Sequence, residues 1–170
     1  MTEIERLLKL GIKFTPVVVC FLVKGEKVLL GLRKKVSLGL GENVVSGIGG
    51  KVGDKIEFKD ESVEEAVIRE IQEEIGVVAT KFRNVGRVRF IYPDKPKWHQ
   101  DALVYIVDEW EGEPQESEAM RPAWFEISDL PISRMWEDNA HWVPKILRGE
   151  IVNVTFLLNR DSKVIEYVFE

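Results

Sequence analysis

The segment from Ser62 to Gly76 puts alkyl groups and carboxylates into one sector of a single helix, and no other feature constrains the fold of this chain as strongly. Ser62 followed by Glu65 reads as a capping box that starts the helix. Gly76 reads as its C-terminal stop. Plotted at about 100° per residue, Val63, Val67, Ile71 and Ile75 form one apolar stripe with Ala66 beside it. Glu70 and Glu74 fall inside that sector and Glu73 at its edge, whereas Glu65, Arg69 and Gln72 fall on the opposite, solvent-like side.

Ionised carboxylates on a face that is otherwise buried are costly unless paired or coordinated. At positions i, i+3 and i+4 they lie within roughly 6 Å of one another at Cβ. Hard oxygen ligands at that density suit Mg²⁺ or Mn²⁺. The same residues also fit a solvated, glutamate-rich surface helix in which Arg69 and Glu73 form an i,i+4 ion pair. Gly47, Gly49 and Gly50 precede the helix, where a strand can bring its backbone close to a ligand and offer a carbonyl to a metal; a simple bulge is the alternative.

The rest of the chain alternates strand and helix signals. Residues 2–10 predict a short helix with Ile4, Leu7 and Leu8 at helical spacing. Thr15–Val23 and Val28–Arg33 predict a hairpin around Lys24-Gly25-Glu26-Lys27. Residues 34–43 read as a loop, Val44–Val52 as a glycine-interrupted strand and residues 53–60 as a charged loop. Strands are predicted near Val85–Tyr92, Ala102–Trp110 and Ala123–Ile127. A helix follows over Asn139–Leu147, then a hairpin of Val152–Leu158 and Lys163–Phe169. Interspersed elements of this kind imply a mixed sheet covered by helices.

Composition narrows the class. The chain has 170 residues, which fits one domain over 1–170. It is 45% hydrophobic and 31% charged, a balance that belongs to a packed globule. Its net charge of −5 argues against a binder of duplex nucleic acid. The single cysteine, Cys20, excludes an intrachain disulfide framework and reads as core packing in the run Val17–Val23. That run is far short of the ~20 residues that span a bilayer. The Met-Thr-Glu-Ile-Glu-Arg start is not the basic start of a secretory signal, so a cytoplasmic location without membrane attachment is the expectation.

The run Glu61-(seven residues)-Arg69-Glu70-Ile71-Gln72-Glu73-Glu74-Ile75-Gly76-Val77 resembles the box of the Nudix hydrolases, G-x5-E-x7-R-E-U-x-E-E-x-G-U with U a bulky aliphatic residue. Its spacing from Glu61 to Val77 matches fully. Ten residues instead of five separate Gly50 from Glu61, which places a lengthened surface loop at Gly53–Asp60. Further likeness to the MutT-type members runs through Val28-Leu-Leu-Gly-Leu, Gly47-Ile-Gly-Gly-Lys-Val, Met120-Arg-Pro-Ala-Trp-Phe and Met135-Trp-Glu-Asp-Asn-Ala-His-Trp.

The resemblance implies a Nudix-type α/β/α sandwich, a Mg²⁺ (or Mn²⁺) requirement, and cleavage of an oxidised purine nucleoside triphosphate such as 8-oxo-dGTP to the monophosphate and pyrophosphate. It implies Glu70, Glu73 and Glu74 as catalytic metal ligands, Glu74 foremost, with the Gly50 carbonyl as a fourth. It gives Arg69, Glu61 and Gly76 the task of holding the box together. Arg33 and Lys51 are phosphate-contact candidates. Trp136, Asp138, Asn139 and Trp142 are base-pocket candidates, because carboxylates and amides read a purine edge and indoles cover its face. Ser46 and Asn139 stand where the MutT-type relatives carry an asparagine and an aspartate, and Ala119 where they carry a glutamate that Glu116 or Glu118 would replace.

Against this reading, Trp136 and Trp142 also fit core aromatics and Asp138 a helix N-cap. His99 and His141 have no spaced partner that suggests zinc. Met120, Trp124 and Phe125 read as core or pocket lining. The departures at Ser46 and Asn139 leave open a nucleotide sugar or dinucleoside polyphosphate as substrate, and Ala119 a non-catalytic nucleotide-binding module. The implied partner is a small nucleotide, acting on a monomer or homodimer.

Overall fold

The computed structural model describes residues 1–34 and 44–170. The loop anticipated over 34–43 lies, from residue 35 onward, outside the described residues. Among the described residues nine strands join in one mixed sheet of order β3-β2-β1-β6-β5-β8-β9, with β4 paired to β1 and β7 to β2. They are β1 Thr15–Lys24, β2 Lys27–Arg33, β3 Val45–Ser46, β4 Ile48–Lys51, β5 Val78–Ile91, β6 Gln100–Glu111, β7 Met120–Glu126, β8 Val152–Leu158 and β9 Val164–Phe169. The helices are α1 Glu3–Lys9, α2 Val63–Ile75 and α3 Asn139–Leu147.

The pairs β1·β6 and β5·β8 are parallel and the others antiparallel. Each sheet face buries its own core. On one, Ala66, Val67, Ile71 and Ile75 of α2 pack with Val18, Cys20, Leu22 and Ile48. On the other, Trp142, Val143 and Ile146 of α3 pack with Phe21, Val104, Val154 and Phe156. The result is an α/β/α sandwich. α1, capped by Thr2, closes a smaller cluster of Ile4, Ile91 and Leu157.

Strand β1 changes partner along its length. Val17–Cys20 pair with Ile48–Lys51 of β4, and Leu22–Lys24 pair with Lys27–Leu29 of β2. The single strand predicted over Val44–Val52 is therefore two, β3 on β2 and β4 on β1, parted at Gly47. Through this hand-off β2 and β4 pair with successive parts of β1, and both contribute residues to the candidate site.

Two predicted strands are longer in the structure. β5 begins at Val78 instead of Val85, and β7 at Met120 instead of Ala123. The extra β5 residues alternate poorly, and pairing with β6 holds them despite register shifts near Lys81 and between Asn84 and Gly86. Met120–Pro122 gain strand geometry from Gly31–Arg33, about ninety positions away in sequence. The charged loop over 53–60 includes one helical turn, Ile56–Phe58.

Candidate active site

Helix α2 starts as its sequence dictates. Ser62 Oγ accepts from the Glu65 N–H at 3.1 Å, and the Glu65 carboxylate accepts from the Ser62 N–H at 3.1 Å. Gly76 ends the helix at φ +74°, a left-handed conformation that costs a residue with a Cβ. Between these ends α2 lies across β4. The Glu70 carboxylate packs so closely on Gly50 that a Cβ there would stand 2.6 Å from its carbon and both oxygens. Only glycine lets the carboxylate and the strand backbone meet.

Glu70 and Glu74 are buried, 7% and 8% exposed, in the sector their spacing assigns. Burial pushes the Glu74 carboxyl up to about 7, against the downward pull of Arg33. Glu70 is also raised, by burial first, against the pull of Arg69. Arg33 Nη1 donates to Glu74 Oε1 at 3.1 Å, and Arg33 Nε donates to Ser46 Oγ at 3.0 Å. Ser46 Oγ in turn donates to the Gly47 carbonyl at 2.9 Å. Glu74 Oε2 is buried and finds no hydrogen-bond donor among the described residues.

Arg69 departs from its predicted place. The helical plot puts it on the solvent side, yet its side chain is only 13% exposed. Its Nε and Nη2 grip Glu61 at 2.9 and 2.6 Å, and Nη1 reaches Glu70 at 3.1 Å and Glu73 at 3.2 Å. Nη2 also donates to the Lys51 carbonyl at 3.0 Å. Glu61 completes the knot by accepting from the Gly53 N–H at 2.9 Å, and its carboxyl is held below the ordinary range chiefly by Arg69. The lengthened loop, α2 and β4 thus meet on one guanidinium. The i,i+4 pair Arg69–Glu73 exists, but as one arm of this hub.

The donor set fits a divalent cation. Two buried carboxylates stand against a glycine backbone, one of them with an oxygen that lacks a donor, and carboxylate and carbonyl oxygens are the ligands Mg²⁺ and Mn²⁺ select. Among the described residues no three His, Cys, Asp or Glu side chains stand together as a metal cage. Glu73 accounts for this: it is exposed and turned to Arg69, while Glu70 and Glu74 sit inside. The three carboxylates expected to converge are held by two arginines instead.

A cleft of about 400 Å³ is lined by Arg33, Ser46 and Gly50 together with Trp136, Asp138 and Asn139. Asp138 occupies the N-cap position of α3 but its side chain makes no capping bond. It accepts instead from Trp142 Nε1 at 2.9 Å and Asn139 Nδ2 at 3.2 Å, and burial raises its carboxyl to about 6. Trp142 joins core and cleft, packing edge-to-face on Phe21 at 5.9 Å. Trp136 lines the cleft with a buried Nε1 that lacks an acceptor among the described residues. Lys51 is an exposed residue at the rim. Phe90 and Gln100, on β5 and β6, and Tyr92, just past β5, also line this cleft; they carried no motif that could have marked them.

Other residues singled out in the sequence lie elsewhere. His99 Nδ1 accepts from the Tyr92 N–H, and His141 packs on Tyr167 at 4.4 Å. Cys20 is fully buried, its thiol pushed up by burial. Met120 is core, and Phe125 packs at the edge of the cluster on the α3 side of the sheet. Trp124, in contrast, is 38% exposed and stacks on Trp110, which corrects its assignment to core or pocket. Ala119 donates and accepts only through its backbone, Glu116 pairs with Lys34 at 3.1 Å, and Glu118 is exposed. Phe58 carries no motif, although it is the one aromatic in a charged loop; its ring lies under Arg69, 4.5 Å from ring centre to guanidinium carbon.

A capped, glutamate-bearing helix laid on a glycine strand inside an α/β/α sandwich defines the Nudix class of hydrolase. The NUDIX domain pattern matches residues 13–146, and the chain belongs to that family. It is 36% identical over 126 residues to the oxidized purine nucleoside triphosphate hydrolase of Danio rerio, covering 74% of this chain and 75% of that one. It is 32% identical over 142 residues to the protein of the same name from Mus musculus, covering 84% and 85%. In fold it is similar to a MutT protein of Bacillus halodurans solved by crystallography, with a TM-score of 0.74 and 22% identity over 92% of this chain and 98% of that one. Nudix hydrolases generally use divalent metal ions and act on small nucleotides. Among the described residues no helix is long and apolar enough to cross a membrane.

Proposed function

We propose that this chain hydrolyses oxidised purine nucleoside triphosphates, of the 8-oxo-dGTP kind, to the monophosphate and pyrophosphate in a Mg²⁺-dependent reaction that cleanses the nucleotide pool. One observation carries the reading: a single cleft is lined both by Gly50 and Arg33, which touch the buried Glu70 and Glu74, and by Trp136, Asp138 and Asn139. Phosphates and a base can thereby be met by different side chains of one cleft. The names borne by the Danio rerio and Mus musculus relatives support the same substrate class.

Glu70, Glu74 and the Gly50 carbonyl would hold the cation, and Glu73 would join them only on leaving Arg69. When bound, a divalent ion neutralises phosphate charge, polarises the attacked phosphorus and lowers the pKa of a coordinated water. Arg33, already a cation beside Glu74, meets the phosphates from the β2 side, and Lys51 adds charge at the rim. Catalysis then consists of positioning and electrostatic stabilisation of developing charge. Asp138, largely ionised at neutral pH with a carboxyl near 6, accepts hydrogen bonds from a purine edge, and the Asn139 amide offers both donor and acceptor. Trp136 covers the base face.

A second reading keeps the chemistry and changes the substrate to a nucleotide sugar or dinucleoside polyphosphate. It is favoured by Ser46, whose hydroxyl is committed to Arg33 and the Gly47 carbonyl instead of to a base. Pyrophosphate release measured over a panel of oxidised and normal nucleotides separates the two. A kcat/KM for 8-oxo-dGTP or an oxidised dATP at least about tenfold above those for dGTP and ADP-ribose is the expected result, a discrimination of about 1.4 kcal/mol in the transition state. Equal or higher values for ADP-ribose would move the assignment to the second reading.

A further inference from the structure

The interval between Gly50 and Glu61 is longer than the Nudix spacing, and the extra residues do not all face solvent. Of residues 54–60 only Phe58 is half-buried; its neighbours, including Ile56 at 90% exposure, stand in water. The Phe58 ring lies over the Arg69 guanidinium at 4.5 Å. A groove of about 740 Å³ separates the loop from the outer face of α2, with both residues in its wall, yet Arg69 is left only 13% exposed.

The donors of Arg69 are all engaged at its edge, by Glu61, Glu70, Glu73 and the Lys51 carbonyl. A planar guanidinium used in this way is open to water only through its faces. A ring on one face attracts the cation, displaces water and strengthens the in-plane bonds by lowering the local dielectric. One of those bonds fixes Glu70, a buried carboxylate of the site.

We propose that Phe58 is a positioning residue for this site: by covering Arg69 it holds Glu70 against the Gly50 backbone, in the place where a divalent cation would meet it. The inference rests on the metal reading above. It concerns a residue that the lengthened loop supplies, acting at a distance from substrate, and so assigns that loop a part in the chemistry.

The test is titration of the purified, metal-free protein with Mn²⁺, followed by paramagnetic resonance, together with steady-state kinetics. For Phe58→Ala the expected loss of Mn²⁺ affinity is about three- to tenfold, within the span that an aromatic–cation contact provides. Its kcat falls in parallel, the nucleotide KM stays within twofold, and Phe58→Trp restores both Mn²⁺ affinity and kcat. Mn²⁺ affinity of Phe58→Ala within twofold of the unsubstituted protein overturns the proposal. So does a loss that Phe58→Trp leaves unrepaired, which marks general loop support. No saturable Mn²⁺ binding by the unsubstituted protein overturns the metal reading itself, a separate outcome from these.

Discussion

Arg33 Nη1 donates to Glu74 Oε1 at 3.1 Å, while Oε2 of the same carboxylate is buried without a donor among the described residues. The arginine therefore neutralises half of a group that burial disfavours, and leaves the other half available to a second cation. Glu74→Gln removes the charge and keeps the shape. It is expected to lower turnover at least about a hundredfold, the cost of deleting one well-placed electrostatic group. Because the charged form is the one that burial penalises, the melting temperature of Glu74→Gln stays equal to or above that of the parent. Pyrophosphate release and thermal unfolding, run side by side, check the opposed directions.

Arg33→Met takes away the side chain that pairs with Glu74 and the donor to Ser46. Removing one member of a buried pair leaves the other unpaired, so metal-free stability falls by about 1–3 kcal/mol. The nucleotide KM rises more than kcat falls if Arg33 also meets phosphate. Denaturant unfolding without metal and saturation kinetics with it test the two parts separately.

Arg69→Ala is expected to be the most destabilising change in the site. Glu61 is 6% exposed at its side chain and depends on Arg69 for two of its hydrogen bonds. Stranding it costs about 3–5 kcal/mol. The double variant Glu61→Gln/Arg69→Ala recovers part of that loss, because the buried charge is gone, and a double-mutant cycle measures the coupling.

Asp138 gives the fold a pH dependence of known sign. Its carboxyl is raised in the folded protein from 3.8 to about 6, by burial first. A folded state that holds the proton more tightly than the unfolded chain is favoured at low pH. The contribution is full below about pH 4 and is lost as pH rises through about 6. The tighter hold on that proton is equivalent to about 3 kcal/mol. Unfolding free energies measured from pH 4 to 7 are expected to decline more steeply for the parent than for Asp138→Asn, with the gap opening mainly between pH 4 and 6. Parallel curves would remove Asp138 from the account.

What could be read in the sequence was local. The Ser62–Glu65 cap, the Gly76 stop and the burial of Glu70 and Glu74 all follow from spacing on one helix. What could not be read came from pairings distant in sequence. A helical plot places Arg69 in solvent because it knows nothing of a loop that folds back with Glu61 and Phe58. The first half of β5 and the first residues of β7 are strands because β6 and β2 pair with them, against weak alternation. Asp138 stands at an N-cap position, but a tryptophan one turn later draws its carboxylate inward, which a capping rule does not foresee.

Glu70, Glu74 and the Gly50 backbone are proposed to hold a divalent cation beside the nucleotide cleft. The most direct measurement is an anomalous difference map from crystals grown with Mn²⁺ and a non-hydrolysable nucleotide. A peak bonded to the Glu70 and Glu74 carboxylates and the Gly50 carbonyl is expected, with Arg33 turned from Glu74 toward phosphate. Density for the nucleotide with no such peak, and Arg33 and Arg69 still seated on these glutamates, would contradict it.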